Sequence, residues 1–285
     1  MATERTPSPT PPAKGVRTRS SASGRVAFSA GTHPHTDIYV VNTDGSALER
    51  LTSDPGAEFD PSWSPDGKRI AFRYQPGGDE TADVHVINAD GSGRKNLTRN
   101  AAMDYSPAWS PDGSQIAFAS SRSGRFPTTW VMNRDGSNPR RVGTVDGEYP
   151  AWSPDGRRIA FDHQTFAATG WDVWVMNADG SRAKPLVKTR ANDQGPAWSP
   201  DGKSIAFGSA LDAEPGYDHV WTIGADGSRP RRVTERYGDR PVWSPDGEFL
   251  LFQAGGLYIV RRDGSRVTQV PIRGLGETTF PDWTG

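Results

Sequence analysis

Trp63-Ser64-Pro65-Asp66-Gly67 recurs with the same five letters at Trp109, Trp152, Trp198 and Trp243, and a shortened copy, Pro281-Asp282-Trp283, stands near the end of the chain. Successive tryptophans are 46, 43, 46, 45 and 40 residues apart. A period in the forties with several strand signals per unit marks a radial array of β-sheets, in which each unit covers its apolar faces with its neighbours. Ser-Pro-Asp-Gly is itself a hairpin connection. Pro fixes φ for a type I turn, Asp caps the turn, and Gly takes the left-handed conformation that closes it.

Each turn is followed by a second strand, seen as Ile70-Ala71-Phe72, Ile116-Ala117-Phe118, Ile159-Ala160-Phe161, Ile205-Ala206-Phe207 and Leu250-Leu251-Phe252. A third strand then ends in Asp-Gly-Ser, at Asp44, Asp90, Asp135, Asp179, Asp226 and Asp263. That tight turn leads into a fourth strand, so each unit is a four-stranded antiparallel sheet. Val26-Ala27-Phe28 matches a second strand with no Trp strand before it, while Phe280 to Thr284 is a Trp strand with nothing after it. The two ends therefore complete one blade. The expected fold is all-β: a six-bladed β-propeller of four-stranded antiparallel blades over residues 24–285, its ring closed by pairing of the N- and C-terminal strands.

Five residues before each Asp-Gly-Ser stands a ring side chain: Tyr39, His85, Trp130, Trp174, Trp221 or Tyr258. Apolar residues flank it on both sides, which assigns the position to packing between blades. Basic residues at or beside the fourth strand, such as Arg50, Lys95 and Arg232, suit an exposed edge that must not pair with another chain.

Composition narrows the function. The 33 basic and 34 acidic residues nearly cancel, and no basic run with interleaved aromatics marks a nucleic-acid binder. Cysteine is absent, which removes disulfides and thiolate chemistry. No apolar run is long enough to span a membrane. Residues 1–23 are a mixture rich in Pro, Ser, Thr and Arg with a net charge of +3, and this composition predicts a disordered tail. Without a signal peptide's apolar segment the expected compartment is cytoplasmic, or periplasmic or secreted if the true start lies upstream.

The repeated Trp-Ser-Pro-Asp-Gly, Ile-Ala-Phe and Asp-Gly-Ser signatures resemble the TolB-type β-propeller, a relative in form of WD-repeat proteins. The resemblance covers residues 24 to 285 and implies a propeller that binds a protein partner. TolB itself carries an additional N-terminal α/β domain, is periplasmic, and partners the lipoprotein Pal. The repeat is also similar to the propeller of prolyl-oligopeptidase-like enzymes, but no Gly-x-Ser-x-Gly nucleophile motif occurs here.

Loops between second and third strands, and between blades, share one face and vary in length, as specificity-bearing loops do. They carry His33, His35, Arg122, Arg125, His163 and Tyr217. Four to six residues before each Trp stands an acid: Glu58, Asp104, Glu148, Asp193, Asp239 and Glu277. Gathered at one mouth of the central channel, these would focus a negative potential suited to a basic peptide or a divalent cation; alternatively, each bonds local backbone or an arginine of the next blade. The expected role is a non-catalytic binding or scaffolding propeller, a monomer without cofactor, engaging a protein or peptide on the acidic long-loop face. The alternative is a lyase or hydrolase using His33, His35 or His163 with carboxylates around a metal.

Overall fold

The computed structural model describes residues 22–32, 34–77, 81–124, 126–165, 170–187, 189, 191–212 and 218–285. The expected tail over residues 1–23 lies almost wholly outside these, as do His33, Arg125 and Tyr217. The described chain forms six four-stranded antiparallel sheets. Blade 2 shows the plan: an inner strand Ala57–Trp63, then Arg69–Gln75, Asp83–Asn88 and a short outer strand Lys95–Asn96. The inner strands of blades 3 to 6 are Asp104–Trp109, Glu148–Trp152, Asp193–Trp198 and Asp239–Trp243. Blade 1 is the split one. Its inner strand Glu277–Thr284 pairs antiparallel with Arg25–Thr32, which precedes it in the chain by most of the sequence.

The turns behave as their residues dictate. Ser64 Oγ donates to Asp66 Oδ1 at 2.6 Å, Gly67 N donates to the Ser64 carbonyl at 2.8 Å, and Gly67 takes a φ of 65° that a side chain would oppose. In the other hairpin, Ser46 N and Oγ both donate to Asp44 Oδ1, at 2.9 and 2.6 Å. These serine bonds hold the turn aspartates below the usual carboxylate range.

The core lies between blades. Phe28, Phe72, Phe118, Phe161, Phe207 and Phe252 are fully enclosed, each burial stabilising by about 1.5 to 3 kcal/mol. Trp63, Ile70 and Phe72 of blade 2 pack against Ala27, Ile38 and Val40 of blade 1, and the other clusters repeat this join. The ring positions belong to the same packing: Tyr39 stacks on Phe28, and Tyr258 on Phe252, both at 5.8 Å between centroids.

Closure draws on two further bonds. Trp283 Nε1 donates to the Ser23 carbonyl at 3.2 Å, and Asp282 Oδ2 accepts from the Trp63 amide of blade 2 at 2.6 Å. Asp282 occupies the position held by Ser62, Ala108, Ala151, Ala197 and Val242 in the other blades, so the last strand carries its own clamp on its neighbour. Removing residues 280–285 exposes the inner edge of Arg25–Thr32 and deletes buried Trp283, whose loss alone costs about 3 to 5 kcal/mol. Thermal melts should show this truncation strongly destabilised across the whole ring; an unchanged melting temperature would contradict closure.

Candidate functional site

Every inner strand contains a proline two residues before its tryptophan: Pro61, Pro107, Pro150, Pro196, Pro241 and Pro281. Proline has no N–H for the ladder and is tolerated in a sheet at a bulge. A bulge forms at each one. In blade 2 the register skips between Phe59 and Ser62, so Asp60 and Pro61 together oppose Phe72, and blades 1, 3, 4, 5 and 6 repeat the skip. The residue ahead of the proline takes a positive φ in all six: Asp60, Ser106, Tyr149, Gly195, Arg240 and Phe280, between 47° and 65°. The bulge turns this residue toward the propeller axis while the tryptophan returns between blades.

The result is an axial funnel of about 390 Å³ that runs from these six residues to the Ser-Pro turns at Pro65, Pro200 and Pro245. Its floor is built across the axis. The Arg240 guanidinium lies 4.3 Å from the Tyr149 ring and 4.1 Å from the Phe280 ring. Beyond it, Phe280 meets Phe59 edge-on at 6.0 Å, and Tyr149 meets Tyr105 at 6.5 Å. Asp60 Oδ2 accepts from the amide and hydroxyl of Ser106, at 3.2 and 3.1 Å. Burial and the nearby Asp60 charge push the Tyr149 hydroxyl up to about 12. Burial works against the Arg240 charge, but Tyr149 and Asp60 outweigh it and hold its pKa above the usual arginine value.

The six acids stand at the opposite end of the inner strands. Glu58, Asp104 and Asp193 have no exposed surface, and the arginines that meet Glu58 and Asp104 belong to the same blade, not to the next one as expected. Arg94 donates to Glu58 Oε1 at 2.7 Å, and also reaches Asp54 and the His85 Nδ1. Arg122, expected as a loop-face binding residue, is instead the partner of Asp104 at 2.6 Å and lies over the Trp130 ring at 4.7 Å. Thr189 Oγ1 donates to Asp193 Oδ2 at 2.8 Å. Tyr105 bonds Glu148, whose carboxyl is pushed up mainly by burial. Asp239 is half-buried and Glu277 exposed. Burial thus outweighs partnership at several of these carboxyls: Glu58 is raised to about 7, and Asp193 to about 6.

The two described loop histidines, His35 and His163, join no cluster of ion-binding side chains among the described residues. His35 is exposed at the start of its strand, while His163 lies 4.4 Å from the Trp174 ring with Nδ1 at 2.9 Å from the Asp146 carbonyl oxygen. Among the described residues, no three His, Cys, Asp or Glu side chains come together as an ion site. The long-loop face does hold a cleft of about 800 Å³ between blades 5 and 6, lined by Asp218, Glu235, Arg236, Tyr237, Asp239 and Gln253. Of the nine described residues among the twelve the sequence singled out, Asp239 alone lines it. Among the described residues, no helix is long and apolar enough to cross a membrane.

Residues 21–171 match the family model of the tricorn protease N-terminal β-propeller domain, and residues 147–279 that of the TolB β-propeller domain. A TolB homologue of Chlorobium luteolum is 39% identical over 51 residues, 18% of this chain and 12% of that protein. The crystal structure of TolB from Acinetobacter baumannii superposes with a TM-score of 0.79 at 22% identity, covering 92% of this chain and 66% of that one. The tricorn protease structure gives 0.70 at 19% identity, covering 90% of this chain and 27% of that one. The chain thus spans less than two thirds of the length of these relatives, and the structural likeness is one of fold.

The raised acids fix a pH dependence. Glu58, Asp193 and Asp282 hold their protons in the native state to about 7, 6 and 6, while in the unfolded chain they ionise near 4. Native chains therefore bind more protons than unfolded ones over that interval, so the stability these groups contribute is full below it and is lost as pH rises through the native values. The melting temperature should fall from about pH 5 to pH 7 and then level off, and Glu58→Gln should flatten the slope. A melt insensitive to pH over this range would contradict the assignment.

Proposed function

Because the chain belongs to the TolB-like β-propeller family, we propose that it is a non-catalytic binding or scaffolding propeller that engages a protein or peptide partner on its acidic long-loop face. The observation that carries this reading is the cleft between blades 5 and 6. Three carboxyls line it, and its one arginine, Arg236, is turned over the Tyr258 ring at 4.2 Å. Burial raises Asp218 and Asp239, and the Asp218 charge raises Asp239 further. Carboxyls whose charge is opposed by burial are relieved by an incoming cation. Tyr237, 53% exposed, adds a flat ring beside them of the kind that anchors interfaces. The partner segment is therefore basic, a Lys- or Arg-bearing stretch of chain.

The propeller acts as a monomer in this reading. Its likeness to TolB supports the periplasmic placement that the sequence attached to an upstream start, and lends nothing to the cytoplasmic one. A decalysine peptide titrated calorimetrically at two salt concentrations tests the cleft. Asp218→Asn with Asp239→Asn should weaken binding about tenfold at low salt and less at high salt. The melting temperature should hold or rise, since two reluctant charges are gone. Equal affinity in the double variant would remove the cleft from consideration.

A further inference from the structure

The inner strands keep their proline and tryptophan, while the residue that the bulge turns to the axis differs in every blade. The residue ahead of the proline is Asp60, Ser106, Tyr149, Gly195, Arg240 and Phe280 in turn, six different residues at six equivalent left-handed positions facing one axis. A ring repeated for packing alone has no use for six chemistries there. Two of the six are charged and opposite in sign: the Asp60 charge favours the charged form of Arg240, but no ion pair joins them among the described residues.

Asp60 is 7% exposed. Its bonds from Ser106, at 3.1 and 3.2 Å, are long for contacts to a carboxylate, and its other oxygen has no partner. Arg240 is stacked between two rings and makes no ion pair among the described residues. A buried carboxylate with an unfilled oxygen is costly, so Asp60, in one funnel with a guanidinium that has two rings and the Tyr149 hydroxyl but no carboxylate on it, marks a place where something else completes the pair. Asp282, the third charged residue of the wall, is already engaged by the Trp63 amide. Above the floor the wall is small or apolar: Ser62, Ala108, Ala151, Ala197 and Val242.

We propose that the axial funnel binds a small zwitterion of the α-amino-acid class, its carboxylate taken by Arg240, its ammonium by Asp60, and its side chain directed up the bore. The rings cover the faces of the guanidinium and the Tyr149 hydroxyl takes part of its N–H edge; the remaining N–H groups match a carboxylate. The ammonium supplies the donor that Asp60 lacks; the long Ser106 bonds leave the carboxylate able to turn toward it. A peptide fits this pair of charges poorly, because an internal segment has neither charge and a terminus only one. The funnel opens among the Ser-Pro turns, on the face away from the acidic cleft, so the site stands or falls independently of the partner-binding reading.

Calorimetric titration of the whole chain with L-leucine, leucine methyl ester and N-acetyl-leucine tests both charges without altering the protein. Leucine should bind saturably, and each blocked derivative should bind about tenfold more weakly or worse, since each leaves one buried charge unmet. Asp60→Asn and Arg240→Gln should produce a similar loss. As Arg240 also braces the floor, Ser62→Phe serves as the second variant: it fills the bore above both charges without touching either, and should block leucine while the melt is kept. Absence of binding by leucine and by glycine overturns the proposal. So does equal binding of all three leucine compounds, or preference for a blocked one, which would reveal a site for a single charge.

Discussion

A proline two residues ahead of every tryptophan is the constraint on which both the core and the axis depend. Lacking an N–H, it breaks the ladder between the inner strand and its neighbour at the point where the enclosed phenylalanine sits, and two residues must face one. The extra residue changes the phase of the strand. On one side of the break a variable side chain turns to the axis; on the other, Trp63 and its equivalents enter the joint between blades. Without the bulge, period-two alternation would turn every side chain of the strand toward one sheet face or the other, and neither face looks at the axis.

Carboxyls show how position, not residue type, sets behaviour in this molecule. On the turn face, aspartates 44, 66, 90 and 112 accept bonds from serine hydroxyls and backbone amides in the open, and their protons are lost easily. At the other end of the strands, Glu58 and Asp193 are enclosed and Asp218 half-buried, and burial outweighs the bonds they make. Asp162 is the extreme case, wholly buried and raised well above its ordinary value even though Gly195 N donates to both of its oxygens at 3.0 Å. Local hydrogen bonding dominates where water is present; desolvation dominates where it is not.

That division explains what could be read from the letters. Turns, strand order and blade number are governed by residues acting within a few positions of themselves, such as Ser64 on Asp66 or Gly67 on its own φ, and short-range chemistry is written in short-range sequence; closure, which is long-range, was legible only because each end carries the strand the other lacks. The recurrence of an acid before each tryptophan was equally visible, but its meaning was not. Asp104 meets Arg122 because two strands run side by side, and Glu58 meets Arg94 from 36 residues away. The axis itself was hidden by its own variety: a search for what repeats passes over the position where Asp60, Tyr149 and Arg240 differ. The signal that could have found it is the invariant proline after it.

The split blade also has a consequence in time. Three strands of blade 1 are synthesised first and its fourth last, and the bond from Trp283 to Ser23 joins residues 260 positions apart. Hairpins within blades 2 to 6 can form as the chain emerges, each from neighbours in sequence. Arg25–Thr32, by contrast, must wait with an unpaired, apolar edge for a partner that the ribosome has not yet made, and loop closure over such a span is slow. During synthesis the opening segment is thus the part of this protein most exposed to mispairing with other chains, and completion of the final strand is the event that withdraws it.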